Sequence, residues 1–298
     1  MKSTRLAILS ALVLAVASLA PAQPPAPKVF VSVDMEGIWG VVHSEHVSPG
    51  SPDYTHARRW MADDVNAIAA GLIEAGAGEV VVNDSHGGMR NLVADALNPK
   101  VSLVSGSPKP LGMMQGIDDT YQAVVFVGYH ARAGSAPAIL DHTISSAIIR
   151  GIRVNGQELP ELGLNAALAG YFKVPVILLT GDTETCAQAR ALLGPALQTA
   201  AVKEAIGRTA ARMYPMETAR ARLKEAAKAA LAGRASAQPF RIEGPYTFEV
   251  DFHTSAQAEL PSGLPGVKRT SPRSVSFTAA DYVEGFRLLR AIISLAGA

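Results

Sequence analysis

One stretch constrains the fold more than any other: Val29 to Gly37, reading Val-Phe-Val-Ser-Val-Asp-Met-Glu-Gly. Its Val and Phe residues predict a buried strand. Asp34 and Glu36 stand at its carboxyl end, and Gly37 lets the chain turn away. Side chains at i and i+2 of a strand face the same way, with Cα atoms about 6.6 Å apart at roughly 3.3 Å per residue. Two carboxylates so placed reach toward one centre. Left unpaired they repel each other and lose hydration, at a cost of several kcal/mol per ion. A divalent cation removes both penalties. Taken alone, the pair reads equally well as loop carboxylates, with Asp34 capping the turn.

The same pattern then recurs. Glu79 to Asn83 is a second apolar strand, followed by Asp84-Ser85-His86-Gly87-Gly88, and Gln122 to Gly128 is another, followed by Tyr129-His130. Between them, Tyr54 to Ala75 predicts an amphipathic helix stopped by Gly76 and Gly78. Asn91 to Leu97 reads as helical, and Val101 to Ser105 as a short strand. Trp39 to Asp53 reads as a polar loop. This alternation predicts an α/β fold, mainly a parallel sheet with helices on both faces. In such sheets the ligand crevice lies outside the carboxyl ends of the strands. A lone histidine is usually packed or solvent-facing. Metal-capable side chains at three equivalent strand ends argue for a metal site.

Beyond His130 come Arg132, a small-residue loop and Asp141-His142. Ser145 to Val154 is β-like, and Asn155-Gly156 is a hairpin turn signal. Glu161 opens a helix after Pro160, where a carboxylate also suits the helix dipole. Val174 to Leu179 predicts a strand. Thr183 to Leu193 predicts a helix capped by Asp182, with Cys186 inside it. The remainder predicts strands at Leu197 to Ile206, Tyr246 to Phe252 and Ser274 to Phe277. It adds helices at Pro215 to Gly233 and Ala279 to Leu295, the last capped by Thr278, and leaves Ser255 to Pro272 as a loop. The expected organisation is a metal-binding α/β catalytic domain at 28–195 and a smaller α+β domain at 196–298. The second has no acid/His cluster of its own and is assigned substrate shaping or oligomer contacts.

Residues 1–22 read as a signal peptide: Lys2 and Arg5, a largely apolar run from Leu6 to Ala20, and small residues for cleavage after Ala22. Residues 23–27 are a Pro-containing linker. The expectation is an exported chain, periplasmic or secreted, with no membrane attachment after leader removal. A net charge of +1 and the lack of any basic run argue against a nucleic-acid partner. A single cysteine excludes an internal disulfide and a cysteine-based zinc knuckle.

Four motifs, Ser32-Val-Asp-Met-Glu-Gly37, Asn83-Asp-Ser-His86, Gly128-Tyr-His-Ala131 and Glu161-Leu-Gly-Leu-Asn165, occur in the order and spacing of the DppA-type zinc-dependent D-aminopeptidases. The chain resembles that family from about Lys28 to its end. The resemblance implies a two-zinc site on Asp34, Glu36, His86, His130 and Glu161, with His142 as the catalytic histidine beyond the metals. It also implies a short peptide with an N-terminal D-amino acid as substrate, and a large homo-oligomer. The export leader departs from the cytoplasmic members of the family.

Carboxylates and imidazoles together suit zinc, with manganese or cobalt possible. Five protein ligands for two metals require sharing, and Asp34 is the expected bridge. His142 is expected to move a proton or to steady the oxyanion. Asp84 and Asp141 are candidate partners of His86 and His142, or simply caps for turn N–H groups. Arg132 is a candidate for a substrate carboxylate, or a surface salt bridge. His43 and His46 flank Glu45 in a loop without metalloprotease spacing, and His56 and His253 read as structural. The rival readings are a metal-dependent phosphoesterase, an exported solute-binding protein, and a two-carboxylate glycosidase using Asp34 and Glu36. The phosphoesterase lacks a Gly-rich phosphate cradle, and the glycosidase leaves His86 and His130 without a purpose. A serine hydrolase lacks its nucleophile elbow.

Overall fold

The structure, a computed structural model, describes residues 25–298. The expected leader and its cleavage position lie outside the described residues. In chain order the elements are β1 (Lys28–Val33), α1 (Ser44–Val47), α2 (Tyr54–Glu74), β2 (Glu79–Asp84), β3 (Val101–Val104) and β4 (Ala123–Val127). There follow β5 (Ile149–Val154), β6 (Gln157–Glu158), α3 (Glu161–Tyr171), β7 (Val176–Asp182) and α4 (Thr183–Leu193). The rest comprises β8 (Gln198–Gly207), β9 (Ala210–Met213), α5 (Met216–Ala232), β10 (Tyr246–Phe252), α6 (Glu259–Ser262), β11 (Lys268–Ser271), β12 (Ser274–Ala279) and α7 (Tyr282–Ala296).

The larger sheet runs β3-β2-β1-β4-β7-β8-β9, parallel except for β9. Its central strands are buried on both faces, which is why they read as unbroken apolar runs. On β1, Val29, Val31 and Val33 join a core with Ile68 and Leu72 of α2 and Leu223 and Leu231 of α5. Phe30 faces the other way, into a core shared with α3, α7 and the second sheet through Leu162, Phe248 and Leu289. That second sheet runs β11-β12-β10-β5-β6 and is antiparallel throughout. Residue 195 does not separate the two sheets: β8 and β9 extend the first, while β5 and β6 belong to the second.

Three local expectations are corrected. Residues 91–97 form only a 3-10 turn, Ala94–Ala96, because the Asp84 carboxylate accepts from the N–H groups of Asn91 and Leu92 and holds the segment as a loop. The closing helix starts at Tyr282 and is capped by Asp281, since the β10–β12 ladder runs on through Ala279 and keeps Thr278 in the strand. The segments 39–53 and 255–272 read as loops, yet they carry α1, and α6 with β11. Among the described residues no helix is long and apolar enough to cross a membrane.

From β1 the chain builds outward through β2 and β3 on one side and through β4, β7 and β8 on the other. The strand order therefore reverses between β1 and β4. The carboxyl ends of those two strands are where an open α/β sheet leaves its crevice.

Candidate metal centre

The loops leaving β1 and β4 are joined backbone to backbone. Asp34 N donates to Val127 O and Gly37 N to Gly128 O, each at 2.8 Å. A Cβ on Gly37 would lie 2.0 Å from Tyr129 O. Gly37 is not in the left-handed region. It is required by this close approach rather than by the turn expected of it. The loop is held from behind by Lys203 of β8, fully buried, whose Nζ donates to the carbonyls of Glu36 (2.6 Å), Ile38 (2.8 Å) and Val41 (2.5 Å). Asp64 of α2 accepts from Trp39 N at 2.9 Å in the same loop. Lys109 does a similar job at the end of β2, donating to Asn83 Oδ1 and Asp84 O at 2.7 Å and to Val104 O at 3.2 Å.

All six sequence-expected site residues come together. Ligand atoms of Asp34, Glu36 and His86 lie within 4.8 Å of one another, and so do those of His130, His142 and Glu161. His86 Nδ1 is 3.2 Å from Asp34 Oδ1 and 3.1 Å from Glu36 Oε2. His130 Nε2 is 3.4 Å from Asp34 Oδ2 and 3.7 Å from Glu161 Oε2. The His130 and His142 rings stack at 3.8 Å, 13° from parallel.

Each histidine has one nitrogen fixed by a backbone carbonyl. His86 Nε2 donates to Val47 O (2.9 Å), His130 Nδ1 to Ala131 O (3.1 Å) and His142 Nδ1 to Leu140 O (2.8 Å). A carbonyl only accepts, so in each neutral ring the other nitrogen carries the lone pair. In His86 and His130 that nitrogen faces the carboxylates. This is how metal-ligating histidines are usually oriented. His130 Nε2 is buried with no hydrogen-bond partner, and leaving such an atom unmatched costs about 1–3 kcal/mol. Three carboxylates, correctly turned imidazoles and an orphaned ring nitrogen fit a divalent metal of the zinc class.

The electrostatics reflect crowding. Burial would push the Asp34 carboxyl up, but the neighbouring His130 and His86 hold it well below the ordinary range. Burial would push His86 down, yet Glu36 and Asp34 raise it well above the ordinary value. His130 is raised to about 10, the surrounding Asp34 and Glu161 outweighing burial. Glu161 is raised by burial, against the pull of His130. Lys203 is pushed down to about 7 by burial, against Asp182 and Asp64. Its three carbonyl acceptors match the three donors of an ammonium.

Other candidates fall away. Asp84 ties down the Asn91–Leu92 backbone, and Asp141 accepts from Gly134 N (2.7 Å) and pairs with Arg208 (3.0 Å). Both therefore satisfy loops rather than histidines. Arg132 pairs with Glu158 at 2.5 Å on the surface. His43 caps the short α1, His46 accepts from His43 N, and neither lines the metal cavity; His56 and His253 are exposed. Sequence reasoning missed a buried polar hub beneath the ligands. Ser32 Oγ bonds Ser85 Oγ (2.9 Å), Met113 O and Tyr129 Oη (both 2.8 Å), and Tyr129 Oη accepts from Asn165 (3.1 Å). Its signal was present: Ser32, Asn83 and Asn165 are polar residues inside otherwise apolar elements. Lys203 gave none, since one lysine in an ordinary strand looks solvated.

The sequence matches the D-aminopeptidase family over residues 28–291. It is 36% identical over 270 residues to the D-aminopeptidase of Bacillus subtilis (strain 168), covering 90% of this chain and 97% of that one. The fold matches the solved Zn-dependent D-aminopeptidase DppA from Bacillus subtilis, a self-compartmentalizing protease, with a TM-score of 0.88 at 34% identity, over 91% of this chain and 98% of that one. With the family matched across residues 28–291 and more than a third of residues identical to a D-aminopeptidase that it covers almost end to end, the chain belongs to the D-aminopeptidase family.

Proposed function

We propose that this chain removes N-terminal D-amino acids of the D-Ala type from short peptides, using two zinc ions per chain. The observation that carries the dinuclear reading is Asp34. Its Oδ1 faces His86 and its Oδ2 faces His130, so one carboxylate reaches into both ligand groups. Glu36 and His86 would complete one position, and His130 and Glu161 the other. The zinc of the solved relative supports the choice of metal. When bound, zinc polarises the scissile carbonyl and supplies water acidic enough to attack near neutral pH.

The remaining work falls to the chain. His142 Nδ1 is occupied by Leu140 O, so Nε2 is the nitrogen that can exchange a proton with the reacting groups, and stacking on His130 fixes the ring. The cavity over the ligands, about 370 Å³, is walled by Ser44, Val47, Leu140 and Ile144. That volume suits one or two residues of a peptide rather than a folded chain. Export through the leader, and a homo-oligomer like the self-compartmentalizing relative, complete the reading. N-terminal sequencing of the mature protein and light scattering test these two.

The deciding experiment pairs elemental analysis with release of D-Ala and L-Ala from matched dipeptides. Two zincs per chain and D-selective release are expected. One zinc refutes the shared Asp34, equal D and L release refutes the stereochemical claim, and two metals without amide hydrolysis move the site to another reaction.

A further inference from the structure

Arg208 and Arg290 border the cavities at the metal centre, and Lys109 lines the one adjoining them, as does the exposed Arg287. Lys109 spends its donors on Asn83, Asp84 and Val104. Arg208 is paired with Asp141. Arg290, on α7, differs. It is half-buried, and its guanidinium has no hydrogen bond or ion pair with any described residue. It rests against Gly112, where a Cβ would come within 3.4 Å of its Cζ and Nε. Arg290 and Glu161 line one cavity of about 280 Å³, which shares Ser85, Gly87 and Glu161 with the cavity over the metal ligands. An unspent guanidinium therefore stands in a recess that opens directly onto the site.

Guanidinium presents a planar fork of donors that matches a carboxylate. In an aminopeptidase the substrate's amino end lies at the ligands, and a residue spans at most about 3.6 Å. The far end of a di- or tripeptide therefore falls within about 7–11 Å of its start. We infer that Arg290 receives the C-terminal carboxylate of the peptide, so that the enzyme selects di- and tripeptides with a free carboxyl end. This rests on the peptidase reading above. It also gives α7, from the C-terminal region, a share in substrate selection, and it takes over the role that the surface pair with Glu158 denies to Arg132.

The test compares kcat/KM for D-alanyl-glycine and D-alanyl-glycinamide in the zinc-loaded wild type, Arg290→Gln and Arg290→Lys. The wild type is expected to favour the acid by about 10- to 100-fold, as for a charge-assisted pair, mostly through KM. In Arg290→Gln the acid-to-amide ratio collapses toward one, and in Arg290→Lys it lies between. Because the readout is a ratio, a general loss of activity does not mimic it. If Arg290→Gln fails to fold, Arg290→Lys decides: a lowered ratio supports the assignment and an unchanged one overturns it. A wild type that cleaves both alike removes the carboxylate site and leaves the peptidase reading standing. A wild type that cleaves neither refutes that reading and this inference with it.

Discussion

The two candidate ligand groups are supported in different ways. Asp34, Glu36 and His86 hang on the ends of β1 and β2, and groups outside the site hold them: Lys203, Asp64, Lys109, and Asn91, which donates to His86 O at 2.7 Å. His130, His142 and Glu161 are tied instead to their own loop and to one another, the two rings through the carbonyls of Ala131 and Leu140. The Glu161 carboxylate accepts from Ile144 N, and His142 stacks on His130. The loop between them carries Leu140 at φ 48° and Ile144 at φ 63°. A β-branched residue there costs on the order of 1–3 kcal/mol. One half is braced by the scaffold, and the other spends part of its own ligand set on bracing a strained loop. The candidate proton carrier, His142, thus sits in the half whose loop is strained.

The largest effect is expected at the seam between them. Gly37→Ala forces a Cβ into Tyr129 O and should cost about 3 kcal/mol or more, with loss of metal. Denaturant unfolding and elemental analysis report both, and a fully metallated, stable variant breaks the picture of two loops zipped through that glycine. Next comes His86→Ala, expected to lose metal and activity while the braced scaffold keeps its fold. A fully active, fully metallated variant refutes the ligand assignment. His142→Ala should lower kcat by about 10²- to 10⁴-fold with metal content unchanged. Loss of one metal per chain would instead make His142 a ligand.

Asp64 gives a smaller, pH-dependent test of the brace. Burial raises its carboxyl from the ordinary 3.8 to about 7, against the Trp39 N–H and Arg220. The folded chain then binds the extra proton between those values, so this group's contribution to stability falls as pH rises from 3.8 to about 7 and is flat beyond. Asp64→Asn keeps an acceptor for Trp39 N and lacks the titration. Its stability relative to wild type should climb across that window, and parallel curves would show that Asp64 titrates normally. The least effect is expected from Arg132→Ala, within about 0.5 kcal/mol for an exposed pair and with metal content unchanged.

What was legible in the sequence follows the same division. The strand ends and their acids and histidines could be read because a parallel strand buried on both faces leaves an uninterrupted apolar run, and its carboxyl end is where chemistry sits. His142 and Glu161 were recognised only through resemblance, because nothing local marks a residue on an irregular loop or a glutamate in a first helical turn as a ligand. Lys203 and Arg290 were invisible: each owes its meaning to backbone or cavity supplied by segments far away in the chain. The placement of β5 and β6 in the second sheet was hidden for a related reason, since an antiparallel hairpin does not declare which sheet it joins.

The central position of β1 has a kinetic consequence. Its ligands are made first, but they become neighbours of Glu161 only after the chain has paired β2 and β4 on either side and packed α3 beneath. Such distant pairings form slowly because loop closure precedes any reward from contact. A metal held by these residues would therefore find its full set of ligands only in a chain that has almost finished folding. Such a metal would act as a latch on the completed sheet, slowing unfolding, rather than as a nucleus that hastens assembly.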